Sequence, residues 1–337
     1  MKHMKRIIAL LFAAALLLSL AACGLTGETT PRTPEAVDYS GEKISVTLSN
    51  TAADYGCAKL LDSDIYNITA SDELLGNLTT DLAVAPLWRV SELGASDSSL
   101  KILAFTTFGQ SSVVANGVEI NGVKDLDGKS ILVGQAYPVS AGSNSRVFDQ
   151  SAKTTQALLA AYGVKATVET DLLQNVYDKI TAGSAQIVVL PEPYASLAAA
   201  KSAAKVAFTL TNAWSESGEE SPMLEYCVVA KSSFAEKNAQ GVKRFLSDLR
   251  ASVEWVNLQP TDAVNLLIEK GMVDADVLLT DPDLADRKAE AAKKQQAVDL
   301  IARSNIILIE GEAMQAAVSQ NVLLQTEVLD QLLYVSN

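Results

Sequence analysis

The side chains that carry out most nucleophilic and metal chemistry are almost absent from this sequence of 337 residues. Its single histidine, His3, stands beside Lys2 in an N-terminal stretch with the pattern of a cleaved leader. Ser-His-Asp and Cys-His catalysis need an imidazole, and so do histidine-ligated zinc and iron sites. Glycine motifs that bind phosphates or dinucleotides do not occur. We therefore predict no enzyme activity, no metal and no cofactor.

The cysteines offer little redox chemistry. Cys23 directly follows the leader, and Cys57 and Cys227 lie further along the chain. One disulfide between Cys57 and Cys227 is compatible with an exported protein, but no spacing rule favours it. We interpret them as two buried free thiols and keep the disulfide as the alternative.

The chemistry that remains is binding, and its first candidate is the polar turn Ser49-Asn50-Thr51. Residues 43–48 alternate and predict a strand before this turn, and residues 53–61 predict a helix after it. A strand-to-helix turn can leave backbone N–H groups free to bind an anionic or hydrogen-bond-accepting group. The alternative is that the turn only caps the helix.

One short unit that would position binding residues occurs twice. Residues 183–195 read GSAQIVVLPEPYA and residues 76–88 read GNLTTDLAVAPLW, each with four apolar residues before a proline. The apolar run predicts a strand buried on both faces, and the proline ends it. Helical stretches at residues 72–78 and 173–181 precede the two strands. Because ligands of open α/β sheets bind beyond the carboxyl ends of the strands, two such ends predict a cleft between two lobes.

The other patterns predict an α/β chain with a helical C-terminal region. Residues 134–150 predict a long polar loop, after which Ser151 caps a helix at residues 153–162. Further strands are predicted at residues 66–70, 101–107, 112–115, 130–133, 166–169, 205–210 and 224–230, and further helices at residues 234–258, 261–270, 285–302 and 312–333.

The first 22 residues have the pattern of a secretory signal, with three basic residues before an apolar run. A membrane-spanning helix is the alternative, for which the run is short. The sequence LAAC at residues 20–23 resembles the lipobox of bacterial lipoproteins, which implies a lipid on Cys23; ordinary secretion is the other interpretation. Residues 23–42 predict a flexible tether. We therefore expect a protein anchored by lipid on the extracytoplasmic face of the cell membrane.

The charge balance limits the partners. Without the leader the chain has 24 basic and 40 acidic residues, a net charge of −16. Nucleic-acid binding needs a basic face, so we expect no nucleic-acid partner. A strongly acidic surface is the ordinary composition of a soluble domain and does not name a ligand.

Six short motifs occur in a fixed order along the chain: DLAVAP at residues 81–86, VKDLDGK at 123–129, LPEP at 190–193, VVAKSSF at 228–234, VKRFLSDLRASVEWVN at 242–257 and SNIILIEG at 304–311. In this order they resemble the solute-binding lipoproteins of ABC transporters, in the group that serves nitrate, sulfonates, taurine and thiamine precursors. The resemblance covers residues 43–333. It implies the two-lobed type II periplasmic-binding-protein fold with two crossover strands. Residues 43–108 and 212–337 would form lobe 1, and residues 109–211 would form lobe 2.

The resemblance also implies where a solute would bind. Carried over by position, the family's contacts fall on Ser49, Asn50, Thr51, Pro86, Leu87, Trp88, Thr106, Thr107, Gln135, Ser151, Glu192 and Tyr226. Alternatively, Trp88 and Tyr226 pack in a core and Glu192 caps the helix after Pro191. The chain departs from the family at residues 50–53, where a Gly-Pro-Thr-Gly-like turn is usual, and at the long segment 134–150. Both departures fall in the expected cleft and suggest a different solute.

The function implied is a monomeric, non-enzymatic receptor that delivers a small molecule to the permease and ATPase of an ABC importer, closing on it by hinge motion. One alternative is a surface or sensory lipoprotein without transport. Another, less favoured, is an enzyme like the pyrimidine-synthesising relatives, whose histidine chemistry this chain lacks beyond its leader. Arg89 and Arg146 could pair with an anionic solute or be solvated, so the sequence leaves the charge of the solute open.

Overall fold

The computed structural model describes residues 37–71, 78–94, 99–135, 150–219, 221–321 and 326–334. The predicted signal, Cys23, Arg146 and most of the tether lie outside these residues. So do residues 72–77 of a predicted helix and residues 136–149 of the predicted loop. Among the described helices, none combines the length and apolar character needed to cross a membrane.

The first β-sheet has six strands, which are β1 Ile44–Leu48, β2 Tyr66–Ala70, β3 Leu82–Pro86, β4 Leu100–Phe108, β10 Leu224–Lys231 and β11 Ile306–Glu310. Their order across the sheet is β11-β4-β10-β3-β1-β2. Strand β1 runs parallel to β2 and β3, whereas β10 runs antiparallel to both β3 and β4. The carboxyl ends of β1, β2 and β3 therefore lie at one edge.

The second β-sheet has five strands, which are β5 Ser111–Ala115, β6 Ser130–Gln135, β7 Thr167–Leu172, β8 Ile187–Pro191 and β9 Lys205–Thr209. Their order is β7-β6-β8-β5-β9, with β6 parallel to β7 and β8 and with β5 antiparallel to β8 and β9.

The two repeated apolar runs form the equivalent central strands β3 and β8, one in each sheet. In β3, Leu82 and Val84 pack in one hydrophobic core while Ala83 and Ala85 pack in a core on the opposite face. The residues of β8 alternate between two further cores in the same way. Burial on both faces explains why these strands are apolar throughout instead of alternating with polar residues.

Helices cover both sheets. The α-helices are α1 Leu87–Gly94, α2 Gln150–Ala161, α3 Leu173–Thr181, α4 Tyr194–Lys201, α5 Leu210–Glu216, α6 Ser232–Lys237, α7 Ala239–Leu258, α8 Pro260–Glu269, α9 Asp286–Ser304, α10 Glu312–Ser319 and α11 Thr326–Leu332. Short 3₁₀ helices span Ala52–Asp62, Val123–Leu126 and Ala275–Leu278.

The chain passes between the sheets through a very short link. Strand β4 ends at Phe108 and β5 begins at Ser111, so only Gly109 and Gln110 separate them. The carbonyl oxygen of Gly109 accepts hydrogen bonds of 2.6 Å from both Thr211 Oγ1 and Asn305 Nδ2. A Cβ atom added at Gly109 would lie 2.6 Å from the sulfur of Met223, which explains the glycine.

Several predicted elements need correction. Ser151 lies in the first turn of α2, which begins at Gln150, so it does not precede the helix as a cap. The C-terminal region is largely helical as predicted, and residues 306–310 between two of its helices form β11, a strand that was not predicted. The predicted helix at residues 234–258 is two helices, with Asn238 between them accepting a hydrogen bond from the N–H of Gly241.

Helix α5 bears on the predicted lobe boundary at residue 212. Its residues Leu210, Ala213 and Trp214 pack in a core of the second sheet together with Val113 and Met223. Strand β10 of the first sheet follows α5 along the chain. The lobe boundaries remain predictions.

Candidate functional site

The edge of the first sheet brings together most of the predicted lobe 1 contacts. Ser49, Asn50 and Thr51 follow the carboxyl end of β1, and Pro86 ends β3. Tyr226 on β10 pairs with Pro86 on one side and with Thr107 on the other. The backbone order thus places these residues side by side.

The second sheet brings together the predicted lobe 2 contacts in the same manner. Gln135 ends β6, and Glu192 follows β8, the neighbouring parallel strand. Pro191 pairs with Ser111, whose hydroxyl lies 3.1 Å from the hydroxyl of Ser151. Gln135, Ser151 and Glu192 therefore line one end of this sheet.

Glu192 connects the two sheets. Its side chain is fully buried, and its Oε1 atom accepts a hydrogen bond of 2.6 Å from Nε of Arg303 on α9. Its Oε2 atom accepts from the backbone N–H of Ser196 at 3.2 Å and from the Ser196 hydroxyl at 2.7 Å. Glu192 thus caps helix α4, as the alternative interpretation predicts. It also forms the ion pair that joins the end of β8 in the second sheet to helix α9.

The turn at residues 49–51 is filled by the carboxylate of Asp54. Asp54 Oδ1 accepts from the backbone N–H of Ser49 at 3.0 Å and from its hydroxyl at 3.1 Å, and Oδ2 accepts from the backbone N–H of Thr51 at 3.1 Å. Thr51 in turn accepts from the N–H of Ala53, which completes a capping box. The helix-capping alternative is therefore the one observed.

Burial dominates the electrostatics of Asp54. Desolvation raises the pKa of this carboxyl, and hydrogen bonds from the backbones of Ser49, Thr51 and Asn50 act in the opposite direction. The net result is a pKa raised from 3.8 to about 6. Asn50 adopts a left-handed conformation with φ of 57°, which asparagine tolerates better than most residues. The turn is thus a closed structure around a carboxylate that remains largely ionised at neutral pH.

Five buried polar atoms, four of them on residues 106–112 at the link between β4 and β5 and one on Tyr55, form a set that we call the crossing cluster. Its members are fully or almost fully buried and have no hydrogen-bond partner among the described residues: the hydroxyls of Tyr55, Thr106, Thr107 and Ser112 and the side-chain oxygen of Gln110. Native proteins leave few buried polar groups unpaired, so a group of five calls for bound partners such as water or a ligand.

Contacts join the crossing cluster to both sheets. The N–H of Glu192 donates to the carbonyl oxygen of Gln110 at 3.1 Å, and the N–H of Gln110 donates to the buried carboxylate of Glu225 at 2.7 Å. Burial, together with the nearby charges of Glu192 and Asp54, raises the pKa of Tyr55 well above its usual value. The Tyr55 hydroxyl therefore lies within electrostatic reach of carboxylates from both layers.

A small cavity lies beside the crossing cluster. Its lining includes Ser111, Ser151, Thr154 and Glu225. It has room for about one water molecule. Ser151 therefore lines a small cavity at the junction, although it does not cap its helix.

The side chains directly after β3 differ in their exposure. Leu87 is completely buried in a core with Val90 and Phe105, which argues against contact between its side chain and a solute. Trp88 is partly exposed, so it is not sealed in that core. Arg89 pairs with Glu92 at 2.6 Å, so its charge is already engaged.

Six residues at this junction escaped the sequence interpretation: Asp54, Tyr55, Gln110, Ser112, Glu225 and Arg303. A signal for Asp54 was available, because an acidic residue three positions after Thr51 completes a capping box. Arg303 lies 111 positions from Glu192, and no local pattern links the two residues.

The structure resembles solved binding proteins of ABC transporters. An ABC transporter protein from Parabacteroides distasonis is 15% identical with a TM-score of 0.62, covering 86% of this chain and 96% of that one. The alkanesulfonate-binding protein from Xanthomonas axonopodis pv. citri bound to MOPS is 11% identical with a TM-score of 0.55, covering 89% and 100%. The periplasmic aliphatic sulphonate-binding protein from Escherichia coli is 16% identical with a TM-score of 0.53, covering 80% and 92%.

At these identities the similarity shows the fold. The expected α/β architecture of two-lobed periplasmic binding proteins is confirmed. No family model and no curated protein matches the sequence.

Proposed function

We propose that this protein is an extracytoplasmic receptor that binds a small solute between its two sheets and delivers it to an ABC importer. The observation that carries the proposal is the crossing cluster, five unpaired and buried polar atoms at the junction of a fold shared with solute-binding proteins. Binding proteins fix a solute with a few placed polar groups, and the crossing cluster would supply such groups.

The contacts of the solute would come from both layers. From the first sheet we assign Thr106, Thr107 and Tyr226, and from the second Gln135 and Ser151, with Trp88 and the turn at residues 49–51 at the margin. Glu192 would hold the layers together through Arg303. The proposal assigns no catalytic residue.

The proposed role in transport also concerns the oligomeric state, the membrane anchor and the docking partner. The receptor would act as a monomer, be anchored by a lipid on Cys23, and dock on a permease that works with an ATPase. The two lobes would close on the solute by hinge motion about the link at Gly109 and Gln110. Small-angle scattering should then show a smaller radius of gyration with solute than without it, and an unchanged radius would contradict hinge closure.

Thermal unfolding against a solute panel tests the receptor function. The panel contains sulfonates, nitrate, bicarbonate, thiamine precursors, riboflavin, amino acids and polyamines. A solute present at a hundred times its dissociation constant stabilises the folded state by about 2.7 kcal/mol, which raises Tm by several degrees. One solute class that raises Tm supports the proposal. A panel without any effect, repeated on a protein freed of co-purified solute, would count against it.

A further inference from the structure

The position that an anion would take at the start of the first 3₁₀ helix is already occupied. The carboxylate of Asp54 accepts hydrogen bonds from the backbone N–H groups of Ser49, Asn50 and Thr51. Free N–H groups at a helix start make an anion site. Here the protein's own carboxylate takes these donors, and Asp54 is only 1% exposed.

A second anion at this turn would meet a like charge. It would have to displace the Asp54 carboxylate from its donors or lie against it, and two like charges in a buried site repel strongly. Displacement would also disrupt the hydrogen bond from the Ser49 hydroxyl to Asp54. The turn therefore disfavours a sulfonate, nitrate or carboxylate group.

The charges around the crossing cluster also disfavour an anionic group. Carboxylates of Asp54, Glu192 and Glu225 lie around the crossing cluster, and the guanidinium of Arg303 is already paired with Glu192. The unpaired oxygen of Gln110 accepts hydrogen bonds and cannot donate them. Gln110 thus offers a buried acceptor to a hydrogen-bond donor, while the four hydroxyls of the cluster can donate or accept, and the carboxylates of Asp54 and Glu225 disfavour a further negative charge nearby.

We infer that Asp54 is a specificity-determining residue that closes the turn at residues 49–51 to anionic groups, so that the solute is an uncharged or cationic polar molecule that donates hydrogen bonds to the crossing cluster. This inference rests on the proposed receptor function for the existence of a solute. The closure of the turn by Asp54 can be measured without knowing that solute.

Nuclear magnetic resonance of the wild-type protein tests the closure directly. The amide resonances of Ser49, Asn50 and Thr51 are followed while sulfate or methanesulfonate is added to millimolar concentration at neutral pH. We expect these three resonances to stay in place, because their N–H groups already donate to Asp54. A saturable shift confined to them would overturn the inference.

An Asp54→Ala variant tests the opposite case. With the carboxylate removed, the freed N–H groups should bind sulfate roughly tenfold more tightly than in the wild type, the equivalent of one charge-assisted hydrogen bond. Asp64→Ala removes an exposed carboxylate just after the same 3₁₀ helix and is the matched control, for which no gain is expected. A folded Asp54→Ala protein without any gain would show that Asp54 is not what closes the turn. If that variant does not fold, Asp54→Asn, which retains one acceptor, replaces it with the same two outcomes.

The solute panel separates this inference from the receptor function. Stabilisation by an amine or an uncharged polar solute, with no effect of the anions, supports both. Stabilisation by a sulfonate or nitrate that also shifts the amides of residues 49–51 would preserve the receptor function and overturn the assignment of Asp54. Absence of binding by every solute would count against the receptor while the amide titration still reports on the turn.

Discussion

Nε of Arg303 donates a 2.6 Å hydrogen bond to Oε1 of Glu192, and this pair joins helix α9 to the residue that follows the central strand of the second sheet. A second hydrogen bond of 2.8 Å runs from the Arg303 guanidinium to the Ser196 hydroxyl. Lys201 on α4 forms a parallel ion pair of 2.6 Å with Asp276. Two ion pairs therefore hold the second sheet and its helix α4 against the segments that carry Asp276 and Arg303, and the carboxylate of Glu192 in one of them is completely buried.

Removing Arg303 should destabilise the protein. Arg303→Met leaves the carboxylate of Glu192 buried without its charge partner, which costs about 3 kcal/mol in the free energy of unfolding. The double variant Glu192→Gln with Arg303→Met should recover part of this loss, because the buried charge is gone. Urea unfolding measures both. Lys294→Met, which breaks an exposed pair with Glu290, is the control and should be neutral. An Arg303→Met protein as stable as the wild type would refute the importance of the pair.

Asp54 should give the stability a specific pH dependence. Its pKa is raised from 3.8 to about 6 in the folded state, so the folded protein binds this proton more tightly than the unfolded chain. The resulting stabilisation is complete below the unfolded value and is lost as the pH rises through about 6. The change amounts to about 3 kcal/mol, since one pKa unit corresponds to about 1.4 kcal/mol.

Comparison with Asp54→Asn isolates that effect. As the pH rises from about 4 to about 7, the free energy of unfolding of the wild type should decrease relative to that of the variant, because the variant does not titrate at this position. Asp64→Asn should follow the wild type across the same range. Parallel pH profiles for the wild type and Asp54→Asn would contradict the raised pKa.

The two internal thiols should be unreactive in the folded protein. Cys57 and Cys227 are free and almost completely buried, they lie in different hydrophobic cores, and burial raises the pKa of both. An aromatic disulfide reagent should label neither under native conditions and both in urea without a reductant. Failure to label in urea would point to the disulfide alternative.

Cys23 should determine where the protein is found in the cell. Cells fed radioactive palmitate should yield a labelled wild-type protein in the membrane fraction. Cys23→Ser should be unlabelled and released, because one residue carries the anchor. The control Cys57→Ser should remain labelled. A labelled Cys23→Ser protein would exclude the lipobox interpretation.

The sequence predicted the parts of the fold that depend on local pattern. Strands β3 and β8 were predictable because four consecutive apolar residues before a proline require burial on both faces. Strand β11 was missed although residues 306–309 read IILI, an apolar run like those of β3 and β8, because it lies among helices and no proline ends it. The turn at residues 49–51 was located correctly, with helix capping as one of its two interpretations, but Asp54 was not identified as the residue whose carboxylate fills it.

The junction between the sheets was harder to predict, because its contacts join distant parts of the chain. Gln110 donates a hydrogen bond to Glu225, which lies 115 positions away in the sequence, and Glu192 and Arg303 lie 111 positions apart. Hydrogen bonds of this kind depend on how the sheets are placed, which no periodicity encodes. The strand ends predict where a candidate site would lie, whereas the charges and unpaired hydroxyls at the junction depend on tertiary packing.

Calorimetric titration of the wild type and of Thr107→Val with the solute panel is the decisive test of a solute site at the crossing cluster. The Thr107 hydroxyl is completely buried and has no partner among the described residues, so valine should keep or raise the stability without solute. We predict that one uncharged or cationic solute binds the wild type and that Thr107→Val binds it about tenfold more weakly, as expected for the loss of one hydrogen bond. Equal affinity for both proteins, or no binding to either, would contradict a solute site at the crossing cluster.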